Sequence, residues 1–199
     1  MPVFLGCVII FVIWLGYEKR KTDKLTKQKS ENFWEQERLA NSVRKQDISA
    51  LNYLVISENR LPFKETDDPE LIDIQERVKT LLDKKIINLS EYTNTELKLK
   101  YGSANLTALS EYDENFTKLI TLLNKWGDKL VKLSDTDAAI EVFSYAIECG
   151  SDSRNTFVAL GKLYSDCGAS ILIDDLIKRA ESLNTPMKAS IISELESLL

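Results

Sequence analysis

The sequence predicts an all-α protein, a single N-terminal transmembrane helix followed by a domain of stacked helical repeats, and three observations predict it. Trp126-Gly127 and Leu160-Gly161 lie 34 residues apart, and the same step relates Phe143 to Ile177 and Ala146 to Ala180. A period of that length marks a helix–turn–helix unit that stacks on its neighbour. The stretch Met1–Tyr17 carries no charge. Only seven Gly and four Pro in 199 residues, with 29% charged side chains, favour helices over sheet.

Residues 1–18 read as an anchor. Val3 to Tyr17 is apolar all round, Trp14 and Tyr17 stand where an interfacial aromatic belt would, and Lys19 can snorkel. Seventeen residues rise roughly 25 Å, slightly less than the ~30 Å hydrocarbon core. A cleaved signal peptide would put basic residues before the apolar run and a small-x-small site after it, whereas here the basic residues follow. A buried core helix would show a polar face. Lys19, Arg20, Lys21, Lys24, Lys27 and Lys29 outnumber Glu18 and Asp23 on the C-terminal flank. By the positive-inside rule the expectation is a single-pass protein of the cell membrane, N-terminus outside and C-terminal domain cytoplasmic. The same basic run suits anionic headgroups.

Charge bounds the remainder. The chain has 26 basic and 31 acidic side chains, and removing the six basic and two acidic residues of 18–29 leaves 20 against 29. So acidic a body, with no aromatic interleaving in the basic stretch, argues against nucleic acid as a ligand.

Residues 19–46 form a basic flank and polar helical arm, with Phe33, Trp34 and Leu39 as its few apolar residues beyond the flank. Residues 47–110 read as a helical and irregular region packed on the repeats. Between Asp47 and Phe63 the apolar period is ambiguous, so helix and extended chain both remain open, as does a reading in which residues 48–63 lie in the repeat groove as a built-in ligand. Asp68-Pro69 starts a helix over 70–84 with Leu71, Ile74, Val78, Leu81 and Leu82 on one face. Glu65, Asp67, Asp68 and Glu70 read as an acidic cap, because a calcium loop wants alternating ligands, a glycine and a terminal Glu. Asn94 caps a short helix, Thr95–Lys100, with Leu97 and Leu99 inside, stopped at Tyr101-Gly102. Residues 103–110 read as loop.

Residues 111–199 hold two repeats and a C-terminal capping helix. The first block, 120–153, carries Leu123, Trp126, Gly127, Leu130, Ala139, Phe143 and Ala146; the second, 154–187, carries Phe157, Leu160, Gly161, Tyr164, Ile173, Ile177 and Ala180. Ser134 or Asp135 caps the second helix of the first block. A last helix over 187–198 shows Ile191, Leu195 and Leu198 on one face, as an end cap must.

This pattern resembles the tetratricopeptide repeat family. It departs from it in Ile173, where the family usually has Ala, in the missing proline at the end of the first block, and in Pro186, one place late in the second. The resemblance implies binding to other proteins through a groove lined by the first helix of each pair. The residues it places there are Thr121, Asn124, Lys125, Asp128 and Lys132, then Asn155, Val158, Lys162 and Asp166. Asn124 and Asn155 would bond a peptide backbone, and Lys125 and Lys162 a carboxylate. The pattern does not reproduce the carboxylate clamp of the family's chaperone-binding members. The overall plan of short anchor, basic flank, polar arm and repeat domain also resembles a class of membrane proteins of Gram-positive, clostridia-like bacteria, a likeness that carries no activity.

Catalytic constellations are missing from the sequence. It has no histidine, no glycine-rich phosphate loop and no Cys-x-x-Cys pair. Asp135/Asp137 and Asp174-Asp175 sit at helix starts or on exposed faces, where capping explains them. Cys7, Cys149 and Cys167 make an odd count with no close pair, so no disulfide framework is expected. The acceptor triplets at Asn88, Asn105 and Asn115 are common by chance. The expectation is therefore a non-enzymatic, membrane-anchored adaptor or scaffold with no cofactor or metal, an unidentified protein or peptide partner, and the membrane held through the N-terminal helix. Alternatives are a receptor for targeting peptides in protein translocation and a non-catalytic regulatory subunit of a membrane enzyme.

Overall fold

The computed structural model describes residues 2–199, apart from the side chains at 2, 3, 5 and 7–9. Among the described residues every regular element is helical: α1 (Pro2–Ser42), α2 (Pro69–Lys79), α3 (Asn94–Tyr101), α4 (Leu106–Lys132), α5 (Thr136–Glu148), α6 (Arg154–Asp166), α7 (Ser170–Glu181) and α8 (Lys188–Glu196), with 3₁₀ turns at Glu58–Arg60 and Ser103–Asn105. The chain divides into two compact units, Met1–Ala50 with Tyr92–Thr107, and Leu51–Glu91 with Ala108–Leu199.

The expected transmembrane anchor at 1–18 is corrected. Residues 2–17 belong to α1, which continues unbroken to Ser42, and among the described residues no helix is long and apolar enough to cross a membrane. Charge cuts the apolar run short: Glu18, Lys19, Arg20 and Lys21 enter the same helix after residues 2–17 have risen only about 24 Å, against ~30 Å of hydrocarbon. Met1 and the Cys7 side chain, which the anchor would have put in lipid, lie outside the described residues.

In the first unit the C-terminal end of α1 packs on α3. Ala40 is fully buried. Glu37 accepts from Lys98 Nζ at 2.7 Å and from the Thr95 hydroxyl. A capping box starts α3 from Thr93, one residue before the expected Asn94: the Thr93 hydroxyl accepts from Glu96 N, and the Glu96 carboxylate accepts from Thr93 N. Leu97 is buried, but Leu99 faces solvent, since neighbours two apart on a helix point to different sides. Gly102, at φ 86°, ends α3 against the backbone of Arg44: a Cβ there would lie 2.5 Å from the Arg44 carbonyl oxygen. The buried Asn105 amide donates to the carbonyls of Gln46 and Tyr101, both at 2.7 Å. Stretch 103–110 is therefore not a loop. It holds a 3₁₀ turn and then α4, which starts at Leu106 rather than near 111.

In the second unit, α4–α5 and α6–α7 repeat one plan at the 34-residue step. α4 ends at Lys132 and α6 at Asp166, α5 starts at Thr136 and α7 at Ser170, and α6 starts at Arg154 and α8 at Lys188. The turns match as well. Asp135 N donates to Leu130 O, and Ala169 N donates to Tyr164 O. Ser134 (φ 58°) and Gly168 (φ 69°) hold the same left-handed position. Asp135 is the cap of α5, its side chain accepting from Ala138 N. α6 packs against α5, α7 and α8, and α8 against α7. Trp126, Phe143, Phe157, Leu160 and Ile173 form the middle of the core, each no more than 2% exposed.

α2 is shorter than expected, ending at Lys79, so Leu81 and Leu82 follow it in a turn. Asp68 caps it by accepting from Leu71 N at 2.9 Å, and Asp68 and Glu70 together hold Lys129 of α4 at 2.8 Å each. The Lys129 ammonium holds both carboxyls below their usual range. The chain from 51 to 64 is irregular apart from its 3₁₀ turn, with tight turns at Leu51–Tyr53 and Leu61–Phe63, and it packs on α5 and on Trp126. Ser57 N donates to the Tyr145 hydroxyl at 3.0 Å, Arg60 pairs with Glu148 at 2.6 Å, and the Phe63 ring lies 4.9 Å from that of Trp126. Gln75 then clamps Lys64, accepting from its N–H and donating to its carbonyl.

Candidate protein-binding surface

The first helices of the two repeats, α4 and α6, carry the seven residues that the sequence nominates. Their buried stripes, Leu119, Leu123, Trp126 and Leu130 on α4 and Phe157, Leu160 and Gly161 on α6, turn the remaining positions outward. α2 borders this face on one side: Arg77 shares with Glu114, Thr117, Lys118, Thr121 and Leu122 an open cleft of about 260 Å³.

Three of the seven are engaged between the helices. Asn124 Oδ1 accepts from the Thr156 hydroxyl at 2.5 Å, and the fully buried Thr156 also meets Ser151 Oγ at 3.2 Å. Asn155 Nδ2 lies 3.4 Å from both carboxylate oxygens of Asp128. These hydrogen bonds link α6 to α4. Asn124 and Asp128 are half-buried and Asn155 is exposed, and their hydrogen bonds bridge the facing helices. The other four are exposed. The Thr121 hydroxyl donates to Thr117 O at 2.8 Å, one turn back on its own helix. Lys125, Lys162 and Asp166 make no ion pair or side-chain hydrogen bond among the described residues.

Within residues 51–64, Ser57 and Arg60 bond to Tyr145 and Glu148 of α5, and Phe63 packs on the buried Trp126 of α4. Lys132 and Val158, also placed in the groove by sequence, are exposed and half-buried.

A second concavity was not foreseen. α5, α6 and α7 enclose a cleft of about 200 Å³ rimmed by Ser144, Glu148, Tyr164, Leu172, Asp175 and Arg179. Ser144 Oγ and Tyr164 Oη meet at 3.3 Å across its floor, Glu148 is held by Arg60, and Asp175 is paired with Lys178. The signal was legible: Leu172, Asp175, Leu176 and Arg179 follow three/four spacing, which makes one apolar stripe with a charged rim. Among the described residues no three Cys, Asp or Glu side chains converge to hold a metal.

Comparison with protein families, curated proteins and solved structures gives no match for this chain.

Proposed function

We propose that the second unit is an adaptor or scaffold domain that binds another protein through the outer face of α4 and α6. The reading is supported chiefly by one observation. Thr121, Lys125, Lys162 and Asp166 stand exposed on helices whose 34-residue repeat leaves them outward. The repeat plan and the tetratricopeptide-like pattern of Trp126-Gly127 and Leu160-Gly161 agree with a binding role rather than catalysis. Lysines 125 and 162, with no ion pair among the described residues, suit an acidic segment of the partner.

A pull-down with the full chain, read by mass spectrometry beside Lys125→Glu/Lys162→Glu, tests this. A partner captured by the parent and lost from the variant supports it. A partner held equally by both moves the binding surface off this face, and no partner at all leaves the adaptor reading without its ligand and overturns it.

A further inference from the structure

We infer that α1 docks the chain on an anionic bilayer surface without crossing it. This rests on the first unit alone and is independent of the protein-binding reading.

α1 carries two consecutive blocks. In the first, the side chains of Phe4, Ile10, Phe11, Ile13, Trp14 and Tyr17 are each more than half exposed, from 55% to 75%. Phe11 and Trp14 touch each other, at 6.0 Å between ring centroids. Apolar surface this continuous is uncommon on a protein facing only water. The second block follows at once: Lys19, Arg20, Lys21, Lys24, Lys27 and Lys29, all exposed, against Glu18 and Asp23. Only Lys21 and Lys27 have carboxylate partners, at 3.9 Å from Glu18 and 4.0 Å from Glu31, and both pairs are open to solvent. Lys19, Arg20, Lys24 and Lys29 have no such partner among the described residues.

Charge complementarity selects the occupant. A second copy in parallel would set six cations beside six, which argues against a paired helix. A nucleic acid would match the basic block and leave the apolar one in water. A bilayer with anionic headgroups meets both, the aromatic and aliphatic side chains entering the headgroup–acyl boundary and the cations remaining at the phosphates. Trp14 and Tyr17, next to the first charges, belong at that boundary.

The test is flotation of the full chain with vesicles of phosphatidylcholine, with and without phosphatidylserine, at low and high salt. Binding should need phosphatidylserine, weaken with salt and be reversed by alkaline extraction. Each basic side chain is worth about fivefold in partitioning, so Lys19→Glu/Arg20→Glu/Lys24→Glu should lower it by more than about 100-fold. Phe11→Ser/Trp14→Ser should lower it by about tenfold or more. All five positions are exposed, so unchanged circular dichroism separates lost binding from lost folding. A brominated acyl chain should quench Trp14 in the Trp34→Phe chain, while the fully buried Trp126 stays bright. Equal binding to neutral vesicles that survives alkaline extraction would overturn surface docking. So would absence of binding, or preference for duplex DNA over anionic vesicles.

Discussion

The ring of Phe143 lies directly over Gly127: a Cβ built on Gly127 falls 2.5 Å from two atoms of that ring. The second repeat holds a different arrangement. A Cβ on Gly161 would fall 2.5 Å from Leu195 Cδ2 and 3.1 Å from Leu198 Cδ1, both beyond its own repeat, and 3.8 Å from Leu176 Cδ2. Gly127 thus seats the partner helix of its own pair, whereas the close neighbour of Gly161 is the capping helix.

The two glycines should therefore differ in tolerance. Gly127→Ala pushes against a fully buried aromatic ring and is expected to cost about 1–3 kcal/mol by overpacking, partly offset by the better helix propensity of Ala, about 1 kcal/mol. Gly161→Ala meets the far end of a leucine side chain that can rotate, and should cost less. Thermal melts of the two variants check this; an equal or reversed order would count against the packing.

Ser134 and Gly168 hold the same turn with different chemistry. A left-handed φ costs a residue with a side chain roughly 1–2 kcal/mol, while glycine adds about 0.5–1 kcal/mol of unfolded-state entropy. Ser134→Gly is expected to stabilise by about 0.5–1 kcal/mol, and Gly168→Ala to destabilise by about 1 kcal/mol. Chemical denaturation reads both, and stabilisation by Gly168→Ala would refute the shared turn.

Acid should loosen α1 from α3 through Glu37. Hydrogen bonds from Lys98, then Thr95, hold its carboxyl below the ordinary value of 4.5. A depressed carboxylate contributes stability that is present above the unfolded value and lost as pH falls through the lower folded one. Protection of the amides over residues 94–101, relative to their intrinsic exchange, should fall below about pH 4.5 in the parent. In Glu37→Gln it should already be lower at neutral pH and lose that dependence. An unchanged acid response in the variant would remove Glu37 as its source.

Cys149 and Cys167 should differ sharply in reactivity. Burial pushes the Cys149 thiol up to about 11, against the smaller opposing effect of its hydrogen bond with Tyr145. Cys167 is exposed in the turn after α6. Alkylation at mildly basic pH, read by peptide mass mapping, should modify Cys167 and leave Cys149 intact until the chain unfolds. Rapid labelling of Cys149 in the native chain would contradict its burial.

Buried polar groups explain much of what the sequence could not show. Asn105 and Asn115 stand in glycosylation-type triplets, yet both are buried, Asn115 donating to Lys85 O at 3.1 Å and Asn105 to two carbonyls. Asn124, Asp128 and Asn155 looked free on a helical wheel and turn out to join α4 to α6. A wheel shows which face a residue occupies, not which neighbour arrives there.

The sequence by itself determined the helical class, the 34-residue step, the Asp68 cap and the core stripe through Trp126, Phe143 and Leu160, and it narrowed the α5 cap to Ser134 or Asp135. These are local or periodic properties, set by propensity, by capping and by the 3.6-residue repeat. Only the tertiary structure decided that residues 57–60 bond to α5, that Leu195 closes on Gly161, and that three of the seven surface candidates are engaged between helices. Each of those depends on contacts between residues far apart in the chain, where shape and hydrogen-bond satisfaction choose among partners that sequence spacing leaves equivalent.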